Sequence, residues 1–181
     1  RTALIGLTAL AFVASACPAP AATPGAPDPT AGNCPMMPAD NYWHADVRAL
    51  PTHARSAAWV ASLGSSKKFH TDFGSGTWEG APIGIPYNVV PGTQAKTTIA
   101  SWWYGSQSDK VGYPIPTNPN IEHGGDHHIL MVDKDNCRLY ELYAAEKQTN
   151  GTWTAGSGAT WDMKSKSVGR SRMPMPAVRP K

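Results

Sequence analysis

Asp126, His128 and Glu141 are the side chains in this sequence best suited to chemistry. They lie in the run Ile121 to Tyr143, which also holds three of the chain's six histidines. A carboxylate, an imidazole and a second carboxylate can hold a divalent metal ion, or serve as a general base with its orienting group. Whether they meet depends on strand register. His127 to Asp133 and Cys137 to Tyr143 are apolar runs rich in strand formers, and Asp133-Lys134-Asp135-Asn136 between them is turn chemistry, which predicts a β-hairpin. A four-residue turn closed by Val132 and Cys137 sets His128 opposite Glu141 and Asp126 beside Tyr143, all on one face. A bulged turn pairs His128 with Leu142 and dissolves the group, leaving a hydrogen-bonded cluster at a sheet edge.

Other candidates are weaker. His127 and His128 are strand neighbours and face opposite ways, which argues against a His–His metal clamp. His53 and His70 sit in loops near Asp46 and Asp72, and either could complete a site. Glu79, Asp109 and Glu122 read as isolated, solvated acids. Gly74-Ser75-Gly76 and Gly156-Ser157-Gly158 lack the outer glycine of a nucleophile elbow and read as turn or bulge glycines.

The elements that must position these residues belong to a mainly β chain. Both faces of both hairpin strands carry large side chains, which places the hairpin centrally, covered on both sides. Asn41 to Val47, Ile83 to Val90, Thr97 to Tyr104 and Thr152 to Met163 read as further strands, with turns at Pro91-Gly92 and Asn150-Gly151. Ser56 to Gly64 predicts one short helix, capped by Ser56 and packed on the sheet through Trp59, Val60 and Leu63. With no βαβ rhythm, the expectation is an antiparallel sandwich or jelly roll.

Seven Trp and six Tyr against three Phe are too many large polar-edged rings for the core alone. Trp102 and Trp103, adjacent on a strand, face opposite sides, so at most one is core. Trp78, Trp102, Trp103 and Tyr104 are therefore the candidate platforms for sugar rings, the alternative being that such rings close the ends of a sandwich.

Arg1 to Ala16 is a cation, an apolar run and small residues, so residues 1–17 read as the end of a secretory signal. Cys17 closes a loose lipidation box; it is either the lipidated residue or lost to ordinary cleavage nearby. Residues 18–33, rich in Pro and Ala, form an extended linker, 34–163 the β-rich domain and 164–181 a basic, disordered tail. Cys34 and Cys137 are expected to pair in an oxidising compartment, closing a loop of about 100 residues worth about 4 to 5 kcal/mol. The formal charge of +3 is misleading, because the six Lys and Arg from Lys164 onward leave −3 on the rest of the chain. A folded part of that sign excludes nucleic acid as the partner.

Several stretches carry a resemblance: Leu50-Pro51-Thr52-His53, Phe69-His70-Thr71-Asp72-Phe73-Gly74, Gly84-Ile85-Pro86-Tyr87, Val90-Pro91-Gly92-Thr93-Gln94, Tyr113-Pro114-Ile115-Pro116, Gly125-Asp126-His127-His128, Val132 to Cys137, Leu139 to Tyr143 and Trp153 to Ala159. From about Asn41 to Met163 the chain resembles a family of exported, β-rich bacterial proteins with no established activity. The resemblance implies export and a β-rich fold. A single basic residue stands in that family where this chain has His127, so a two-histidine site is not a family property. Members of the family are also longer, and the tail after about Ser167 reads as a frameshift product on the N-terminal part of a larger protein. The expected function is an exported or lipid-anchored cell-envelope protein that binds extracellular polysaccharide, or cleaves it as a hydrolase or lyase through Asp126, His128 and Glu141, with or without a divalent metal ion. The alternative is a non-catalytic envelope module, an inactive fragment included, whose Trp-rich surface contacts a protein.

Overall fold

The computed structural model describes residues 25–68 and 76–166. The signal segment with Cys17, the linker up to residue 24, the Phe69 to Gly74 stretch with His70, and the tail beyond residue 166 lie outside the described residues. In chain order the strands are β1 (Pro27–Asp28), β2 (Cys34–Pro35), β3 (Thr77–Trp78), β4 (Ala81–Pro82), β5 (Tyr87–Val90), β6 (Ile99–Trp102), β7 (Ile129–Asp133), β8 (Arg138–Tyr143), β9 (Glu146–Lys147), β10 (Trp153–Ala155) and β11 (Ser157–Asp162). A single α-helix, α1 (Ser56–Leu63), accompanies them among the described residues. The mainly β class is as the sequence implies.

The hairpin β7–β8 forms the middle of a four-stranded sheet of order β11-β8-β7-β5, and a second sheet has the order β6-β10-β9. Two pairings, β5 with β7 and β6 with β10, are parallel rather than antiparallel. The reason is the path of the chain: after β5 it leaves to build β6 in the other sheet before returning as β7, and such a crossover delivers a parallel strand. The sheets do not close into a sandwich among the described residues. Strands β10 and β11 are one run of chain that passes from one sheet to the other through Gly156.

The core lies between the sheets. Ile129 and Met131 of β7 and Tyr140 and Leu142 of β8 pack against Ile99, Trp153 and Ala155 of the second sheet and against Tyr113. Tyr113 is fully buried, and its hydroxyl donates to the Asp109 carbonyl at 2.7 Å. Burial, with the Asp109 charge second, pushes its phenol above the ordinary range. A Cβ on Gly158 would stand 2.3 Å from that hydroxyl, so only glycine fits under the ring.

A period of two places Leu130, Val132, Leu139, Glu141 and Tyr143 on the other face of the sheet. One end of this face is covered by a strap from the N-terminal segment. The Cys34–Cys137 disulfide holds the strap, and Cys34, Val132 and Met163 are buried together beside Leu139. Residues 27–33 belong to this strap instead of an extended linker: β1 pairs with β2, Asp28 caps a short 3-10 turn, and Ala31 is buried.

Two expected elements differ. The strand expected over Asn41 to Val47 is a 3-10 turn, Tyr42–His44, because the Asn41 side chain accepts the Trp43 N–H at 3.0 Å and competes with extended backbone. Helix α1 is where the sequence places it, yet the cap position falls on Arg55 and makes no side-chain hydrogen bond. No residue of the helix is buried, so it does not pack on the sheet; Trp59 stacks on the His53 ring at 4.6 Å. No helix among the described residues is long and apolar enough to cross a membrane.

Candidate functional site

The turn of the hairpin lies one residue later than expected. Asp133 pairs with Arg138, so Lys134 to Cys137 reverse the chain. Asp133 sets this turn: its carboxylate accepts the N–H groups of Asp135 at 3.1 Å and Asn136 at 3.0 Å, and the Asn136 side-chain amide at 2.9 Å. Cys137, expected to open the second strand, sits in the left-handed region at φ 51° and belongs to the turn. Each β7 residue therefore faces a β8 residue two positions later than expected. An even shift keeps the faces. Leu130, not His128, is opposite Glu141, but His128 and Glu141 still line one cavity, of about 260 Å³, together with Tyr143 and Ser157.

The carboxylate beside His128 is not that of Glu141. Glu141 accepts the Trp161 indole N–H at 2.9 Å, while the Glu122 carboxylate meets the His128 ring at Nδ1 and accepts the His128 backbone N–H at 3.3 Å. The Glu122 N–H in turn donates to the His128 carbonyl at 3.0 Å, closing a loop of seven residues on itself. A carboxylate at Nδ1 holds the ring proton there and leaves Nε2 as the acceptor. Asp126 completes the group: one ligand atom from each of Glu122, Asp126 and His128 lies within 4.8 Å of the others. The expected set of Asp126, His128 and Glu141 thus becomes Glu122, Asp126 and His128, with Glu141 across the cavity.

The loop is fixed from outside as well. Asn88 of β5 is buried; its amide donates to the carbonyls of Asn120 at 3.1 Å and Leu130 at 3.0 Å and accepts the Asn120 N–H at 2.8 Å. At the other end the Asp126 carbonyl accepts the Ala144 N–H at 2.8 Å and the His127 carbonyl the Ala145 N–H at 3.2 Å. His127 and Ala144 both take positive φ, 46° and 48°, a conformation costing a non-glycine residue about 1 kcal/mol or more. This kink ends the regular ladder and moves Asp126 off its expected place beside Tyr143. His127 lines a different recess, of about 930 Å³, with His123 and Glu122, so the two neighbouring histidines serve different surfaces, through the kink at His127 rather than through strand alternation, since β7 begins only at Ile129.

An aromatic run leads out from His128. Its ring lies 5.4 Å from that of Tyr143, which meets Trp103 edge-on at 6.1 Å. Gly156 makes room for the Tyr143 ring, which lies 2.7 Å from where a Cβ would be. Trp103 is 64 % exposed and Tyr104 51 %. Trp102 packs on the core, 5.9 Å from Tyr113, and is no platform. Trp78 is exposed on the small hairpin β3–β4, outside this run.

Two residues read as solvated acids are structural partners. Glu122 is described above, and Asp109 accepts the Thr160 N–H at 2.9 Å and hydroxyl at 3.1 Å. Glu122 and His128, six residues apart, are joined because the glycine-containing loop between them folds back on itself, a chain reversal that neither helix nor strand periodicity reports. Glu79 is exposed, as expected. His53 lies against Trp59 and contributes nothing to the group around His128. No family model matches the chain, and no curated protein or solved structure matches it either.

Proposed function

We propose that this chain is an exported or lipid-anchored cell-envelope protein that binds extracellular polysaccharide on the aromatic run Trp103–Tyr143–His128 and processes it at the imidazole. The observation that carries this reading is the run itself: Tyr143 and the carboxylate-held imidazole of His128 line one cavity, and exposed Trp103 meets Tyr143 edge-on beside it. Flat rings bind the apolar face of a pyranose, and an oriented imidazole with carboxylates on either side can move a proton at a bond held there. Glu141 lines the cavity, and Glu122 and Asp126 stand by the His128 ring at its edge, so the local charge is negative, which repels a polyanion and favours a neutral glycan. The disulfide fits an oxidising compartment, and the resemblance to exported bacterial proteins agrees with it.

Retention on insoluble neutral polysaccharides tests the reading. The parent protein is expected to be retained, Trp103→Ala to lose most of that binding, and His128→Ala to bind while releasing no product. A parent that is retained on no polysaccharide overturns it. A second reading, a non-catalytic module that contacts an envelope protein, draws on Tyr42 and Trp43, which are 70 % and 75 % exposed with ring centroids 5.3 Å apart on the strap.

A further inference from the structure

We propose that Glu122, Asp126 and His128 form a binding site for a divalent transition-metal ion of the zinc class. The inference does not depend on glycan binding at the aromatic run, but with an ion bound His128 is a ligand, and the chemistry proposed at the imidazole passes to the ion's open coordination position. One ligand atom from each residue lies within 4.8 Å of the others. In a tetrahedral site with bonds of about 2.0 to 2.2 Å, ligand atoms stand about 3.3 to 3.6 Å apart. Exposed Asp126 is free to swing inward by about 1 Å, and the Glu122 carboxylate, now hydrogen-bonded to His128 Nδ1 and closer to it than two ligands of one ion stand, must turn slightly outward as the ion replaces the ring proton between them.

The electrostatics ask for a cation. Two carboxylates share this small space with one imidazole, and among the described residues the Asp126 carboxylate makes no hydrogen bond that would account for its position there. A divalent cation is the one partner that both carboxylates and the imidazole can share. The donor set selects the cation class: calcium and magnesium take oxygen ligands, whereas an imidazole nitrogen with carboxylates suits zinc or manganese. The backbone holds the three residues in advance of any ion, through the Glu122–His128 loop closure, the Asn88 clamp and the two hydrogen bonds to Ala144 and Ala145. Strained φ at His127, inside this chelating loop, is the kind of conformation that persists where function needs it. Three protein ligands would leave a coordination position open for water or a substrate oxygen.

The test is calorimetric titration of the untagged, chelator-stripped protein with zinc chloride. One zinc ion per chain is expected, with little heat from calcium chloride at the same concentration. Asp126→Asn is the decisive variant, because its side chain is exposed and unbonded and its loss leaves the fold intact by circular dichroism. It should weaken zinc binding at least tenfold, as should Glu122→Gln and His128→Ala, while His53→Ala binds as the parent does. No zinc uptake by the parent, or parental affinity in Asp126→Asn, overturns the proposal. Neither result bears on glycan retention.

Discussion

Ile129, Met131, Tyr140 and Leu142 share two strands with Leu130, Glu141 and Tyr143, yet the two sets live in different surroundings. The first four are buried against the second sheet; the others are half-buried, and Glu141 and Tyr143 line a cavity. Alternation along a strand is all that separates them. One face holds the domain together and the other is free to carry polar groups, because its far end is already closed by the disulfide-bound strap. The hairpin thus supplies both stability and a site, and the division between faces is open to experiment.

Removing the disulfide should have the largest effect. It spans 103 residues, so the Cys34→Ser, Cys137→Ser double variant is expected to lose about 4 to 5 kcal/mol in urea unfolding. Loss of the strap should also expose Trp161 and shift its fluorescence. Next, Leu142→Ala on the closed face should cost about 2 to 5 kcal/mol, and Leu130→Ala, one strand over on the open face, only about 1 kcal/mol. Equal losses would mean that the faces are not distinct. Asn88→Ala should cost about 1 to 3 kcal/mol, by orphaning groups of Asn120 and Leu130. It should loosen the loop at Glu122 and so speed amide exchange between Asn120 and His128.

The smallest effect belongs to the turn. The Lys134 ammonium, with the Gly92 N–H at 2.8 Å as the next cause, holds the Asp135 carboxyl below its ordinary value of 3.8. A depressed carboxyl stabilises the fold above its unfolded pKa, and that contribution fades as pH falls through the lower folded value. The stability gap between the parent and Asp135→Asn should therefore be small at pH 6 and vanish in acid. A gap that grows in acid would reverse the sign.

The hairpin, its faces and the disulfide were legible in the sequence because each rests on a local signal: a run of strand formers, a turn, two cysteines in the part of the chain that reads as a folded domain. Register was less so. Aspartate and cysteine can each belong to a strand end or to a turn, and only the Asp133 hydrogen bonds and the φ of Cys137 place them. The shift came out even, so the shared face of His128 and Glu141 survived a wrong turn. Glu122 was illegible, since a carboxylate folded back across a loop follows no period. The helix showed the opposite failure. Its apolar side, Trp59, Val60 and Leu63, is clear in the sequence, but periodicity cannot say whether a sheet lies beneath it, and none does.

The central claim is that the open face around His128 holds the ligand. Two-dimensional NMR of the chain titrated with a soluble neutral oligosaccharide tests it most directly, by following the imidazole C–H signals of His128 and the indole N–H of Trp103. Both should move together and saturate, while His53 and Trp59 stay in place. Movement confined to Trp43, Trp59 or Trp78, with His128 unchanged, would contradict the account.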